Sequence, residues 1–199
     1  MPDTGAPWNI PYVESTDLVS DWPADSLALA NAIDAGLDAA GNAGIGSNVV
    51  QTTKLDTFST TSTSFTDLTG LSVAITPSSA TAKVLVVWSV VVGFSASSRS
   101  ATIVLTDGSD NVLFGGTPAG SRYAASMSSY ADGSGGADRN QAFSGAYLWS
   151  PASASAVTAK IRILGVGTGT TYVNRSGSDI DSVFTPRMAS SITAIEVAA

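Results

Sequence analysis

The hydrophobic pattern of this chain changes at residue 48. From Asn48 to the C-terminus, apolar and polar side chains alternate with a period of two, in segments separated by turns rich in Gly, Ser and Asp. Such alternation is typical of half-buried β-strands and predicts about eight to ten of them, with no helix among them. The segments are 48–58, 65–75, 83–94, 99–106, 111–114, 122–130, 140–149, 157–166, 170–174 and 190–197.

Two of these segments indicate how the strands are arranged. Lys83–Phe94 is the most hydrophobic stretch and is rich in Val, which favours a central strand buried on both faces. The sequence Asp107–Asp110 (DGSD) separates two strand segments and predicts a tight hairpin. Many short strands of this kind indicate an all-β protein, a two-layer sandwich of the jelly-roll type.

The residues before 48 follow a different pattern. Pro2, Pro7 and Pro11 alternate with apolar residues, which favours an extended arm, although a disordered terminus is the alternative. Asp21 is a suitable N-cap for an Ala-rich helix over residues 24–40, and Gly41 is a suitable C-cap. A flexible connector is expected over 42–47. The chain therefore divides into an arm with one short helix, residues 1–47, and a β domain, residues 48–199.

Charge is distributed as unevenly as hydrophobicity. The net charge of −7 comes from seven acidic residues within the first 53 positions, which contain no Lys or Arg. The nine acidic and nine basic residues that follow cancel. Charged residues make up only 13% of the chain, which leaves a neutral surface rich in Ser and Thr, suited to subunit packing or to sugar-like ligands. An acidic arm on a neutral domain suggests a subunit anchored in a larger assembly.

Composition excludes several kinds of chemistry. The absence of Cys and His removes disulfides, thiolate catalysis, most zinc sites and the usual Ser-His-Asp triad. The acidic balance argues against nucleic acid as a partner. No apolar run reaches the 18 residues that a membrane-spanning helix needs, and the first residues lack the features of a signal peptide. We expect no enzyme, no cofactor and no membrane insertion.

Five features of the sequence leave a choice between a functional and a structural role. The pairs Asp107/Asp110 and Asp179/Asp181 could bind calcium, but turn chemistry is the favoured interpretation. No partner carboxylate for Asp67 or Glu196, as a glycosidase requires, is evident. Asn174-Arg175-Ser176 matches a glycosylation sequon, and the Gly-rich run 165–170 is interpreted as turns. Among the aromatics, Trp88, Phe94, Phe114 and Tyr147 are expected in the core or an interface. Tyr123, Tyr130 and Tyr172 flank loops and could stack on sugars, but ordinary packing is the favoured interpretation.

Two parts of the sequence resemble tailed-bacteriophage structural proteins. Residues 7–41, PWNIPYVESTDLVSDWPADSLALANAIDAGLDAAG, resemble N-terminal modules of tail fibres and of head fibres or decoration subunits, where an IPY-x-E-x-TD stretch precedes DWP and a short Ala-rich helix. The body resembles β domains of such fibres through the pattern T-S-F-T-D-L-x-G-L-x-V-x-I-T-P-S-S-x-x-x-K-V-L-V at residues 63–86. The resemblance implies a jelly roll of the C1q and tumour-necrosis-factor group that forms trimers.

The arm, the helix and the resemblance together give a functional hypothesis. A virion structural subunit would attach to a capsid or tail protein through apolar anchors in its arm and display a trimeric head at the virion surface. The alternative is a receptor-binding protein whose head binds host glycans. The expected anchors are Trp8, Ile10, Tyr12, Val13 and Trp22. The stripe expected to form the trimer neck is Ala30, Ile33 and Leu37.

Overall fold

The computed structural model describes residues 22–42, 45–131 and 139–197. This part of the chain forms one helix and eleven strands. They are α1 (Trp22–Asn42), β1 (Ile45–Lys54), β2 (Phe58–Thr60), β3 (Thr66–Ile75), β4 (Lys83–Phe94), β5 (Ser100–Asp107), β6 (Val112–Phe114), β7 (Met127–Tyr130), β8 (Asn140–Trp149), β9 (Val157–Leu164), β10 (Thr171–Val173) and β11 (Ser190–Val197).

The first sheet is built around β4. Strand β8 pairs with β4 along nearly its whole length, from Val84↔Trp149 to Gly93↔Asn140. The other edge of β4 pairs with β11 and, further along, with the short β10. Beyond these lie β1 against β11 and β2 against β10. The sheet therefore has four positions, in the order β1–β11–β4–β8. Further along β4, β10 takes the position of β11, and β2 takes the position of β1.

The second sheet has the order β3–β9–β5, and the free edge of β5 pairs with β6 and β7 in succession. All pairings in both sheets are antiparallel. Most of the long connections, such as β3 to β4 and β8 to β9, cross from one sheet to the other. The first and last long strands, β1 and β11, lie side by side. Two four-position antiparallel sheets joined in this way form a jelly-roll sandwich, and the predicted fold class is confirmed.

The core lies between the two sheets and is lined by alternate residues of each strand. On β4, Val84, Val86, Trp88, Val90 and Val92 are all at most 1% exposed. They pack against apolar side chains of the second sheet, among them Leu71, Val73, Ile103, Leu105, Ile161 and Ile163.

A glycine makes room for the largest core side chain. Gly145 on β8 pairs directly with Trp88, and a Cβ atom at this position would lie 2.4 Å from the indole ring. The ring of Phe114 packs between the two sheets, 5.9 Å from Trp88 and 5.6 Å from Tyr147. The core role expected for these aromatic residues is confirmed for Trp88 and Phe94, while Phe114 at the sheet edge stays 38% exposed.

The strand boundaries agree with the sequence at β4, β8 and β11, differ by one or two residues at β3, β5, β6, β9 and β10, and differ further at β1, β2 and β7. Strand β1 begins at Ile45, inside the expected connector, and helix α1 continues through Gly41. The strand expected over residues 48–58 is broken at 55–57, because the Asn174 side chain donates to the carbonyls of Lys54 (2.8 Å) and Asp56 (3.0 Å).

The strand expected over residues 122–130 is shorter than its pattern. Only Met127–Tyr130 pairs with β5. Ala119 and Arg122 close a turn with two mutual backbone hydrogen bonds of 3.1 and 3.4 Å, and Gly120 between them has a φ of 61°. This turn takes residues 115–125 out of the ladder, and the Ser126 backbone N–H resumes it by donating to the Ile103 carbonyl at 2.9 Å.

No helix in the described part of the chain has the length and hydrophobicity needed to cross a membrane.

Candidate interaction surfaces

The outer face of the first sheet carries no charged side chain over three consecutive rows. We call these rows the neutral face. The register places Val49, Ile195, Leu85 and Leu148 in one row, then Gln51, Thr193, Val87 and Ala146, then Thr53, Ser191, Ser89 and Ser144. The face thus grades from an apolar row to a hydroxyl row.

Several apolar side chains of the neutral face are open to solvent in the single chain. Val49 is 53% exposed, Leu148 46% and Val87 37%. Strand β4 was expected to be buried on both faces, and this expectation is wrong for the isolated subunit, since one face packs into the core and the other is the neutral face.

The outer face of the second sheet is charged instead. Lys160 contacts Asp67 at 2.9 Å and Asp110 at 2.6 Å, and Arg162 contacts the same two carboxylates at 3.1 and 3.2 Å. The hydrogen bond from Lys160 is the main cause that lowers the pKa of Asp110, and the bonds to Asp110 and Asp67 raise the pKa of Lys160. The hydrogen bond from Lys160 favours the ionised form of Asp110, which does not suit the protonated acid that a glycosidase needs.

The acidic pairs considered for calcium are engaged in turns and ion pairs. One Asp107 oxygen accepts the backbone N–H groups of Ser109 (2.8 Å) and Asn111 (2.9 Å), as in an Asx turn. Asp179 lies between Arg175 at 3.2 Å and Arg187 at 2.7 Å. Within the described residues there is no group of three or more acidic side chains that could hold a metal ion. The turn interpretation is the one that this geometry supports.

Two buried polar groups connect distant parts of the chain. Arg99 is 1% exposed and donates to the Thr171 hydroxyl (3.0 Å) and to the carbonyls of Gly167 (2.7 Å) and Thr60 (3.3 Å). The Gly-rich run 165–170 wraps this guanidinium, and a Cβ at Gly165 would lie 2.6 Å from it. These glycines form turns, as expected.

The second buried group is Asn174, which is fully buried with a φ of 64°. Its amide oxygen accepts the Ser190 hydroxyl at 2.6 Å, while its amide nitrogen holds the β1–β2 turn. The side chain is thus inaccessible to a glycosylating enzyme, and the sequon at this position is coincidental.

Glu196 is a buried carboxylate with no cationic partner among the residues that the structure describes. It is 1% exposed and accepts the backbone N–H of Ser78 at 2.7 Å, the Ser78 hydroxyl, and the Asn48 amide at 3.3 Å. The hydroxyl and backbone bonds from Ser78 lower the pKa of Glu196 below its ordinary value of 4.5. The carboxylate clamps the β3–β4 connection to the end of β11.

This clamp predicts a dependence of stability on pH. Because the folded-state pKa is lowered, the contribution is complete above the unfolded-state pKa and is lost as pH falls through the folded-state value. We expect Glu196→Gln to lower the free energy of unfolding by about 1 to 2 kcal/mol at pH 7. The difference from the wild type should shrink at acidic pH, as measured by urea denaturation across pH 3 to 7. A difference that is constant with pH would contradict a charged clamp.

The predicted arm and neck residues are placed only in part. Trp8, Ile10, Tyr12 and Val13 lie outside the described residues, as do the side chains of Trp22 and Leu37. Ala30 and Ile33 are exposed on α1, Ile33 by 46%. Leu27, one turn before Ala30, is 63% exposed and extends the same stripe. Its i−3 spacing in the sequence could have identified it.

A loop between β10 and β11 presents apolar side chains that the sequence analysis missed. Val183 is 89% exposed, Phe184 83% and Ile180 60%. The loop is nevertheless fixed, since the buried Thr185 hydroxyl donates to the Ile180 carbonyl at 2.6 Å. The sequence signal for this exposed patch was the presence of apolar residues inside a loop rich in Gly and Ser.

The fold assignment rests on the strand order, and the comparisons with known proteins do not add to it. No family model and no curated protein matches the chain. Fourteen chains of solved structures match, among them the crystal structure of the infectious bursal disease virus VP2 subviral particle. The identity is 14% and the TM-score 0.33, over 76% of this chain and 37% of that one. This chain thus spans little more than a third of that protein's length.

Proposed function

We propose that the chain is a structural subunit of a tailed-phage virion, a homotrimeric fibre or decoration protein. The β domain is the head at the virion surface, and the segment before it attaches the head to a capsid or tail protein. The resemblance of residues 7–41 and 63–86 to phage proteins supports the virion origin. The neutral face supports the self-association.

The contrast between the two outer faces is the observation that carries this proposal. Covering a charged face costs desolvation free energy, whereas a face of Val, Leu, Ala, Ser and Thr can be covered at a small desolvation cost. The outer face of the second sheet carries the charged cluster of Asp67, Asp110, Lys160 and Arg162, whereas the three rows of the neutral face have no charged side chain. A second copy of the same chain matches this surface, because an uncharged face of apolar and hydroxyl side chains can be covered by another copy without placing like charges together.

The exposed stripe on α1 fits the same arrangement. Leu27, Ala30 and Ile33 recur at intervals of three, a narrow apolar stripe that a single helix leaves in solvent. Three such helices packed around one axis would cover it. Neck and head would then associate along the same axis.

A charge placed at the centre of the neutral face should dissociate the oligomer. Val87 lies in the middle row of β4, and a Lys at this position would be buried unpaired at every copy of the interface. We expect the wild type to sediment at three times the monomer mass at micromolar concentration. Val87→Lys should sediment as a monomer with an unchanged circular dichroism spectrum.

Ala74→Lys is the matched control. Ala74 is exposed on β3 of the second sheet, so the same charge is added to the opposite side of the sandwich and the oligomer should persist. A wild-type monomer, or equal dissociation by both variants, would rule out the neutral face as the interface.

A further inference from the structure

The outer face of the second sheet holds a groove that the proposed assembly leaves uncovered. It has a volume of about 600 Å³ and is lined by Thr102, Ser121, Arg122, Tyr123, Ser128 and Val166. Strands β5 and β7 supply Thr102 and Ser128, and the β6–β7 connection supplies residues 121–123. Since the neutral face belongs to the other sheet, the groove does not depend on how the copies associate.

An aromatic side chain is fixed at the edge of this groove. Tyr123 is 51% exposed, although two contacts hold its position. Its hydroxyl donates to the Thr63 carbonyl at 3.2 Å, and its ring packs edge-to-face on Phe65 with centroids 5.7 Å apart. A half-exposed ring that is already ordered offers a rigid apolar surface at little entropic cost.

A second aromatic lies on the same strand face. Tyr130 is 61% exposed and is two residues from Ser128 on β7, so the two side chains project from the same side of the sheet. Two exposed tyrosines thus accompany a groove to which Thr102, Ser121 and Ser128 contribute hydroxyl groups.

The polar side of the groove offers one cation and several hydroxyls. The Thr102 and Ser128 hydroxyls lie 2.8 Å apart, and each retains further hydrogen-bonding capacity. The backbone of Arg122 is fixed by the turn with Ala119. Among the residues that the structure describes, no carboxylate forms an ion pair with the Arg122 guanidinium, and no acidic side chain lines the groove.

We propose that this groove binds a saccharide unit that carries a carboxylate, as part of an acidic surface polysaccharide. The Tyr123 ring would stack on the C–H face of the pyranose, and Arg122 would bind the carboxylate with two parallel hydrogen bonds. The Thr102 and Ser128 hydroxyls would pair with sugar hydroxyls. A nucleic acid needs several cations along its backbone, and this groove has one.

The test is a glycan array of bacterial capsular and lipopolysaccharide fragments, with and without carboxylates, followed by titration of the strongest carboxylated fragment. The same fragment with its carboxylates reduced to alcohols is the chemical control. We expect the wild type to select carboxylated fragments, and Arg122→Gln to weaken binding about ten-fold or more. Tyr123→Ala should weaken binding comparably. Tyr123→Phe keeps the ring, so it should fold and retain most of the binding, and it provides the second measurement at this position if Tyr123→Ala fails to fold.

Phe184→Ala removes an exposed aromatic outside the groove and should bind like the wild type. Failure to bind any carboxylated fragment would overturn the proposal. Equal binding of the carboxyl-reduced fragment, full binding by Arg122→Gln, or full binding by a folded Tyr123→Ala would also overturn it. So would equally strong binding of single-stranded DNA. The oligomer measured with Val87→Lys is a separate readout, so failure of the groove and failure of the trimer are distinguishable.

Discussion

Replacing Arg99 with Met is expected to lower the free energy of unfolding by about 3 to 5 kcal/mol, a large part of a typical domain's stability. The guanidinium donates three hydrogen bonds, one to Thr60 and two to the segment that contains Gly167 and Thr171, so it joins two distant parts of the chain. Burial lowers the pKa of Arg99, yet an arginine remains charged in proteins.

The sign of this effect is decided by what the substitution leaves behind. Replacing every member of a buried polar cluster with apolar residues can be neutral or stabilising. Arg99→Met removes only the donor, so the carbonyls of Thr60 and Gly167 remain in place without it. Arg99→Lys should recover only part of the loss, because an ammonium group cannot reproduce the planar fork of donors.

Urea denaturation followed by circular dichroism measures this effect. Arg187→Met is the matched control, since Arg187 is 59% exposed and its ion pair with Asp179 is worth about 1 kcal/mol or less. A loss below about 1 kcal/mol in Arg99→Met would mean that the three hydrogen bonds add little beyond the cost of burying the cation.

The sequence predicted the strands best where the hydrophobic pattern and the residues that flank each strand indicate the same bounds. Strands β4, β8 and β11 have the expected bounds because β4 is an almost uninterrupted apolar run, whereas β8 and β11 follow the period-two pattern, and segments rich in Ser or containing Pro or Asp separate them from their neighbours. The break between β1 and β2 was missed because the amide that holds the turn comes from Asn174, 120 residues away from Lys54. Interactions over such separations leave no local signal.

The candidate surfaces were predictable only in part for the same reason. The apolar content of Lys83–Phe94 indicated a strand with two apolar sides, but the uncharged rows of the neutral face appear only when four strands are placed in register. Tyr123 was recognised as a loop aromatic. Its combination with Arg122, Thr102 and Ser128 needed the pairing of β5 with β7. Arg99 would pass in the sequence for an ordinary surface cation.

Deleting residues 1–41 is expected to leave a folded, soluble β domain and to abolish its incorporation into virions. The first strand begins at Ile45, and the exposed α1 side chains Leu27 and Ile33 contribute nothing to the sandwich core. Replacing Trp8 and Tyr12 together with Ala should have nearly the same effect. Each buried aromatic contributes roughly 1.5 to 3 kcal/mol, and the loss is repeated in every arm of a trimer.

The measurement is occupancy of the subunit on particles produced with the wild-type gene deleted and the variant supplied in trans. A matched control removes apolar surface from the head instead, by changing Val183 and Phe184 together to Ala, and should be incorporated normally. If the truncated protein reached normal occupancy, the arm would not be the anchor. If the head control alone failed to assemble, the attachment surface would be the exposed β10–β11 loop, and residues 1–41 would have some other partner.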